Sequence, residues 1–77
     1  MNRTMAVAKH DFQIGYLTVF EIVRPFFENS FWCISLGTGL QQGMLCDART
    51  KEPRQFKTLD SAVKALEAIG FEVNRLG

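Results

Sequence analysis

Cys33 and Cys46 are the only thiols in the chain, His10 is the only imidazole, and any nucleophilic, redox or metal chemistry would have to start from them. Two cysteines with no Cys or His neighbours at ligand spacing make neither a structural zinc site nor a disulfide framework. There is no CxxC, and no adjacent base or helix N-terminus to lower a thiol pKa, so both cysteines read as small core residues, free in a reducing compartment. His10 beside Asp11 has the makings of a proton relay, but a lone histidine in an irregular N-terminal stretch is expected to be exposed. The carboxylate pairs Asp47 and Glu52, Glu21 and Glu28, and Asp60 and Glu67 have no spacing that forces two of them into one pocket. Gly37-Thr38-Gly39 followed by Gly43 lacks the Lys-Ser/Thr and the following helix of a phosphate-binding loop. No catalytic, cofactor-binding or metal-ligating set emerges, and the chain is expected not to be an enzyme and to need no cofactor.

Two other groups of residues suit binding. Arg49, Lys51, Arg54 and Lys57 place four cations within nine residues, diluted by Glu52, and such a cluster can follow a phosphate backbone or an acidic protein surface. Phe26, Phe27, Phe31 and Trp32 concentrate aromatic side chains of the kind that anchor protein interfaces.

The chain of 77 residues allows one small domain. At 47% hydrophobic it is too apolar for a disordered tail, and it has no long uncharged run to span a membrane. The formal charge of +1 does not advertise nucleic-acid binding, though it leaves it open. With no apolar signal segment in Met1 to Asp11, a cytoplasmic location is expected.

Residues 1–15 mix small, polar and charged types without a clear period, and read as a loose N-terminal arm before a single domain over 16–77. Tyr16 to Arg24 is β-branched and aromatic and is stopped by Pro25, which describes a strand. Phe31 to Leu36 gives a second strand. Gly43 to Ala48 gives a third, across a loop whose glycines can take the positive φ of a tight reversal. Arg49 to Gln55 is an exposed loop or the tip of a second hairpin. The clearest element is a helix: Thr58 is a good N-cap, Asp60 sits in the first turn, and Leu59, Ala62, Val63, Leu66 and Ile69 recur at three- and four-residue spacing. Gly70 is placed to end it, Phe71 to fold back on Leu66, and Phe71-Glu72-Val73 to close the sheet as a short strand. The class is therefore α+β: an antiparallel sheet of three to four strands with one C-terminal amphipathic helix packed on one face.

If Leu36 pairs with Gly43, then Ile34 meets Leu45, Cys33 meets Cys46 and Trp32 meets Asp47. That register puts Trp32, Ile34, Leu36 and Leu45 on one face and Phe31, Cys33, Met44, Cys46 and Ala48 on the other. Both faces are apolar, and one helix covers only one of them. The other must meet the N-terminal arm, a second copy of the chain or a different partner.

Strands followed by a helix make the chain similar in architecture to the phage-integrase arm-binding domains and plant transcription-factor domains that lay a three-stranded sheet in the major groove. Those sheets present basic side chains, where this one carries Cys33, Ile34, Leu36, Met44 and Leu45. The run from Pro53 through Arg54-Gln55-Phe56-Lys57-Thr58-Leu59-Asp60 to Gly70-Phe71, about a quarter of the chain, resembles the C-terminal part of small accessory proteins of bacterial plasmids and integrating mobile elements. The resemblance implies a bacterial setting and a non-enzymatic role, and assigns no binding residue. The expectation is a binding module that self-associates, as a homodimer, and contacts another protein through an apolar, aromatic sheet surface anchored by Phe26, Phe27, Phe31 and Trp32. The alternative is a small DNA-binding regulator using Arg49, Lys51, Arg54 and Lys57.

Overall fold

The computed structural model describes residues 1–25 and 30–73. A helix α1 (Met5–Gln13) leads into strands β1 (Phe20–Val23), β2 (Cys33–Leu36) and β3 (Gly43–Met44), with a single 3₁₀ turn at Gly39–Gln41 and a second helix α2 (Leu59–Ile69). The strands form one antiparallel sheet in the order β1-β2-β3. The α+β class and the C-terminal helix are as the sequence indicates.

Helix α2 begins and ends on the residues chosen for it. The Thr58 side chain accepts from the Ser61 N–H, and Asp60 occupies the first turn, where its charge suits the exposed N–H groups. Gly70, at φ 132°, stops the helix, and the N–H groups of Gly70 and Phe71 both reach the Leu66 carbonyl at 3.2 and 3.1 Å. A Cβ at Gly70 would lie 2.6 Å from the Phe12 ring, so α1 packs onto α2 where only glycine fits. Ala62, Val63, Leu66 and Ile69 are buried.

The N-terminal arm expected to be loose is α1 instead. Thr4 caps it by accepting from the Val7 N–H, and Met5, Ala8 and Phe12, spaced three and four apart, turn one narrow stripe to the core. Arg3, before the helix, pairs with Leu45 in a parallel bridge and is almost wholly buried at 1% exposure. Its Nε donates to Asp11 Oδ2 at 2.9 Å, and its Nη1 donates to the carbonyls of Gln41, Met1 and Leu36 at 2.9, 3.3 and 3.4 Å. One guanidinium thus ties α1 to both ends of the β2–β3 connection.

The strands are shorter than their sequence signals. Tyr16 and Leu17 both donate to the Asp11 carbonyl at the exit of α1, which holds the Tyr16-to-Arg24 run out of the sheet until Phe20. Phe71 to Val73 is not a strand; Phe71 is spent in the core, edge-on to Phe12 and Phe20 at 4.7 and 4.9 Å between ring centroids.

The β2–β3 register is the one assumed from sequence: Leu36 pairs with Gly43, and Leu45 N–H donates to the Ile34 carbonyl. Beyond Leu45 the sheet forks. Trp32 exchanges both backbone hydrogen bonds with Phe56, not with Asp47, and Cys46 pairs with Pro53, not with Cys33. The expected third strand to Ala48 is therefore cut short, and the polar run after it is the tip of a second hairpin, closed by Asp47 N–H on the Glu52 carbonyl. The segment 53–56 enters between the diverging strands. It leaves Cys33 and Cys46 as free, separately buried thiols.

Both helices lie on one side. Ile34, Leu36 and Leu45 are fully buried there together with Ala8, Ala62 and Leu66, while Phe20 and Ile22, cross-strand partners of Leu36 and Ile34, pack against the same cluster. Each large aliphatic side chain so buried is worth roughly 1.5–3 kcal/mol. The single covering helix expected from sequence is in fact a pair.

Candidate functional site

With α1 and α2 both on the Ile34 and Leu36 side, no helix among the described residues covers the opposite face of the sheet. Strand alternation puts Glu21, Val23, Cys33, Ser35 and Met44 on that open face, in the rows Val23–Cys33 and Glu21–Ser35–Met44. Cys33 and Ser35 are buried by close neighbours; Val23 and Met44 are half-buried.

The fork shapes this face. Where 53–56 enters the sheet, a cleft of about 420 Å³ opens, lined by Pro25, Phe31, Cys33, Met44, Glu52, Pro53 and Gln55. Its walls are largely apolar. Pro25 ends β1, Phe31 precedes β2 and Cys33 begins it, so the parity of each strand delivers these side chains to one side. Among the described residues Glu52 is the only charged one in the lining, and neither it nor Glu21 forms a salt bridge there. Burial pushes the Cys33 thiol above its ordinary pKa, and Cys46 likewise, so at neutral pH both are protonated and poor nucleophiles.

Of the four aromatic anchors, Phe31 lines the cleft. Trp32 points to the helix side, where it packs at the margin of the core with the Arg24 guanidinium 4.4 Å over its ring. Phe26 and Phe27 lie outside the described residues. The cleft residues Pro25, Met44, Glu52, Pro53 and Gln55 were not singled out from sequence. The signal for Met44 was present in the alternation of the strand, but nothing local showed that 53–56 would enter the fork.

Of the basic residues, Arg49, Lys51 and Lys57 are exposed, and Arg54 lies 5.1 Å over the Phe56 ring. The Trp32–Phe56 bridge therefore carries a guanidinium over each ring on the helix side. These rings are covered by arginine rather than open for base stacking. The turn holding the cluster is set by Asp47, whose Oδ1 accepts from the N–H groups of Arg49 and Thr50 at 2.8 and 3.1 Å. Those two bonds hold its carboxyl below the usual carboxylate range, and Arg49 and Arg54 add a smaller attraction. Lys51 sits at φ 65°, in the left-handed region, at the corner of the same turn.

His10 is 69% exposed at its side chain, with Nδ1 3.3 Å from Asp11 Oδ1. Asp11 is held below the usual carboxylate range chiefly by its hydrogen bond with Arg3, with a smaller contribution from His10. Among the described residues no group of three or more His, Cys, Asp or Glu side chains is placed to hold a metal ion, and no helix is long and apolar enough to cross a membrane. Compared with known proteins, the chain matches no family model, no curated protein and no solved structure.

Proposed function

We propose that the protein is a non-enzymatic binding module that contacts another protein chain through the open face of its sheet, with the cleft between Phe31, Met44 and Pro53 as the anchor pocket. The observation that carries this reading is that both helices pack on one face. The N-terminal segment, one of three ways to cover a second apolar face, is spent on the first as α1. A second copy of the chain and a different protein remain, and the latter is the proposed occupant. An apolar cleft with a polar rim is the usual receptor for one large side chain of a docking segment. The bacterial mobile-element setting rests on the resemblance of Pro53 to Phe71 and belongs to the same proposal.

The test is selection from a random peptide display library, followed by affinity measurement against the wild type and Met44→Asp. Enriched peptides that lose at least about tenfold in affinity with Met44→Asp support the reading, since a charge would then stand unpaired in a desolvated contact. Enrichment of nothing, or binding indifferent to Met44, sinks it.

The second reading is DNA binding through Arg49, Lys51, Arg54 and Lys57. It is favoured by one observation: among the described residues none of the four forms a salt bridge. Fluorescence anisotropy of labelled duplex and single-stranded DNA at low and moderate salt tests it. Binding that is steeply salt-dependent and lost when all four are neutralised promotes it over the first.

A further inference from the structure

The charge on the open face restricts what can occupy it. Glu52 lines the cleft and Glu21 stands on the same sheet face, while among the described residues no Lys or Arg lines the cleft. Arg24 lies over Trp32 and Arg54 over Phe56, and the exposed Arg49, Lys51 and Lys57 stand outside the described cleft lining. A two-fold dimer built on the open face would set this patch against itself, gathering Glu21 and Glu52 of both copies in one apolar contact with no cation from the lining to neutralise them. A different occupant resolves that conflict: one that brings its own positive charge beside its apolar anchor.

We propose that the open-face cleft receives a basic, apolar-anchored segment of a different protein, in which one large aliphatic or aromatic side chain fills the space between Phe31, Met44 and Pro53 and a flanking Lys or Arg meets Glu52. The proposal rests on the open face being the contact surface and names the chemistry of what it contacts. The apolar wall supplies affinity. The lone cleft carboxylate supplies selection, because an acidic segment of equal hydrophobicity would place like charges together. Glu21, further along the same face, extends the preference to a second basic residue.

The experiment uses three end-labelled extended peptides: alternating Leu and Lys, alternating Leu and Glu, and alternating Ser and Lys. Anisotropy is read at low salt with the wild type and with Glu52→Lys, Met44→Asp and Glu67→Lys, the last on α2 in the helix layer. The Leu–Lys peptide is expected to bind best. Glu52→Lys should weaken it about tenfold, the scale of a close interfacial charge pair, and should turn the preference toward the Leu–Glu peptide. Glu67→Lys should change it less than about twofold. Equal weakening by Glu67→Lys, or equal binding of the Ser–Lys peptide, would mean attraction by net charge alone and overturns the proposal. Preference of the wild type for the Leu–Glu peptide, lost with Met44→Asp, overturns the basic-partner assignment and leaves the open face standing as the contact surface. No binding by any peptide overturns both. Sedimentation of the free chain supplies the other arm, since a dimer abolished by Met44→Asp would show that a second copy occupies the face.

Discussion

The two faces of the sheet carry different side chains and meet different fates. On one, Ile34, Leu36 and Leu45 disappear beneath two helices, with α2 capped at both ends and α1 locked by Arg3 and Asp11. On the other, Cys33 and Met44 border a cleft with Glu52, Pro53 and Gln55, and no helix among the described residues lies over it. The open face is the more polar, with Glu21 and Ser35, yet it still carries Val23, Cys33 and Met44. Among the described residues, helices close one face and leave the other without one.

If the closed face holds the fold and the open face does not, truncations on the two should separate widely. Leu66→Ala is expected to cost about 3–4 kcal/mol in denaturant unfolding, because Leu66 is fully buried among side chains of α1, α2 and β2. Arg3→Met removes the guanidinium from the buried Asp11, leaving only the exposed His10 ring beside it, and should cost about 3 kcal/mol. The Asp11 pair also fixes an acid limb. Its folded pKa is lowered, so the stabilisation is fully present above the unfolded carboxylate pKa of about 3.9 and is lost as pH falls below it through the folded value. Unfolding midpoints followed from pH 6 down to about pH 2 should fall more steeply in the wild type than in Asp11→Asn, which starts lower.

A smaller effect sharpens the closed side. Gly70→Ala should cost about 1–2 kcal/mol, since alanine must take a positive φ and press on the Phe12 ring. The smallest effect belongs to the open face: Glu52→Gln should leave unfolding within about 0.5 kcal/mol of wild type while weakening a basic, apolar peptide. A large stability loss from Glu52→Gln would erase the distinction between the faces.

Much of this was legible in the sequence where local rules and the tertiary outcome agree. Thr58, Asp60 and Gly70 delimit α2 because capping is a contact between near neighbours. The pairing of Leu36 with Gly43, assumed at the level of sequence, is the one formed, and with it comes the division of side chains into two faces. Legibility failed where distant segments decide. α1 has only Met5, Ala8 and Phe12 as an apolar stripe, and its anchor is Arg3, whose burial depends on carbonyls from the β2–β3 connection, such as those of Leu36 and Gln41. The fork depends on Phe56 outcompeting Asp47 for Trp32, a contest between segments that no spacing announces. Both failures bear on function: the first leaves the second face open, and the second cuts the cleft into it. Of the residues expected to bind a partner, Phe31 lines that cleft and Trp32 turns to the other side.

The most direct measurement is a map of backbone amide shifts in an isotopically labelled sample titrated with the alternating Leu–Lys peptide. The expected result is a set of shifts centred on Val23, Phe31, Cys33, Met44 and Gln55, with the amides of α2 from Ala62 to Ile69 nearly still. Shifts centred on Arg49, Lys51, Arg54 and Lys57, or spread along α1 and α2, would contradict the assignment of the open face as the contact surface.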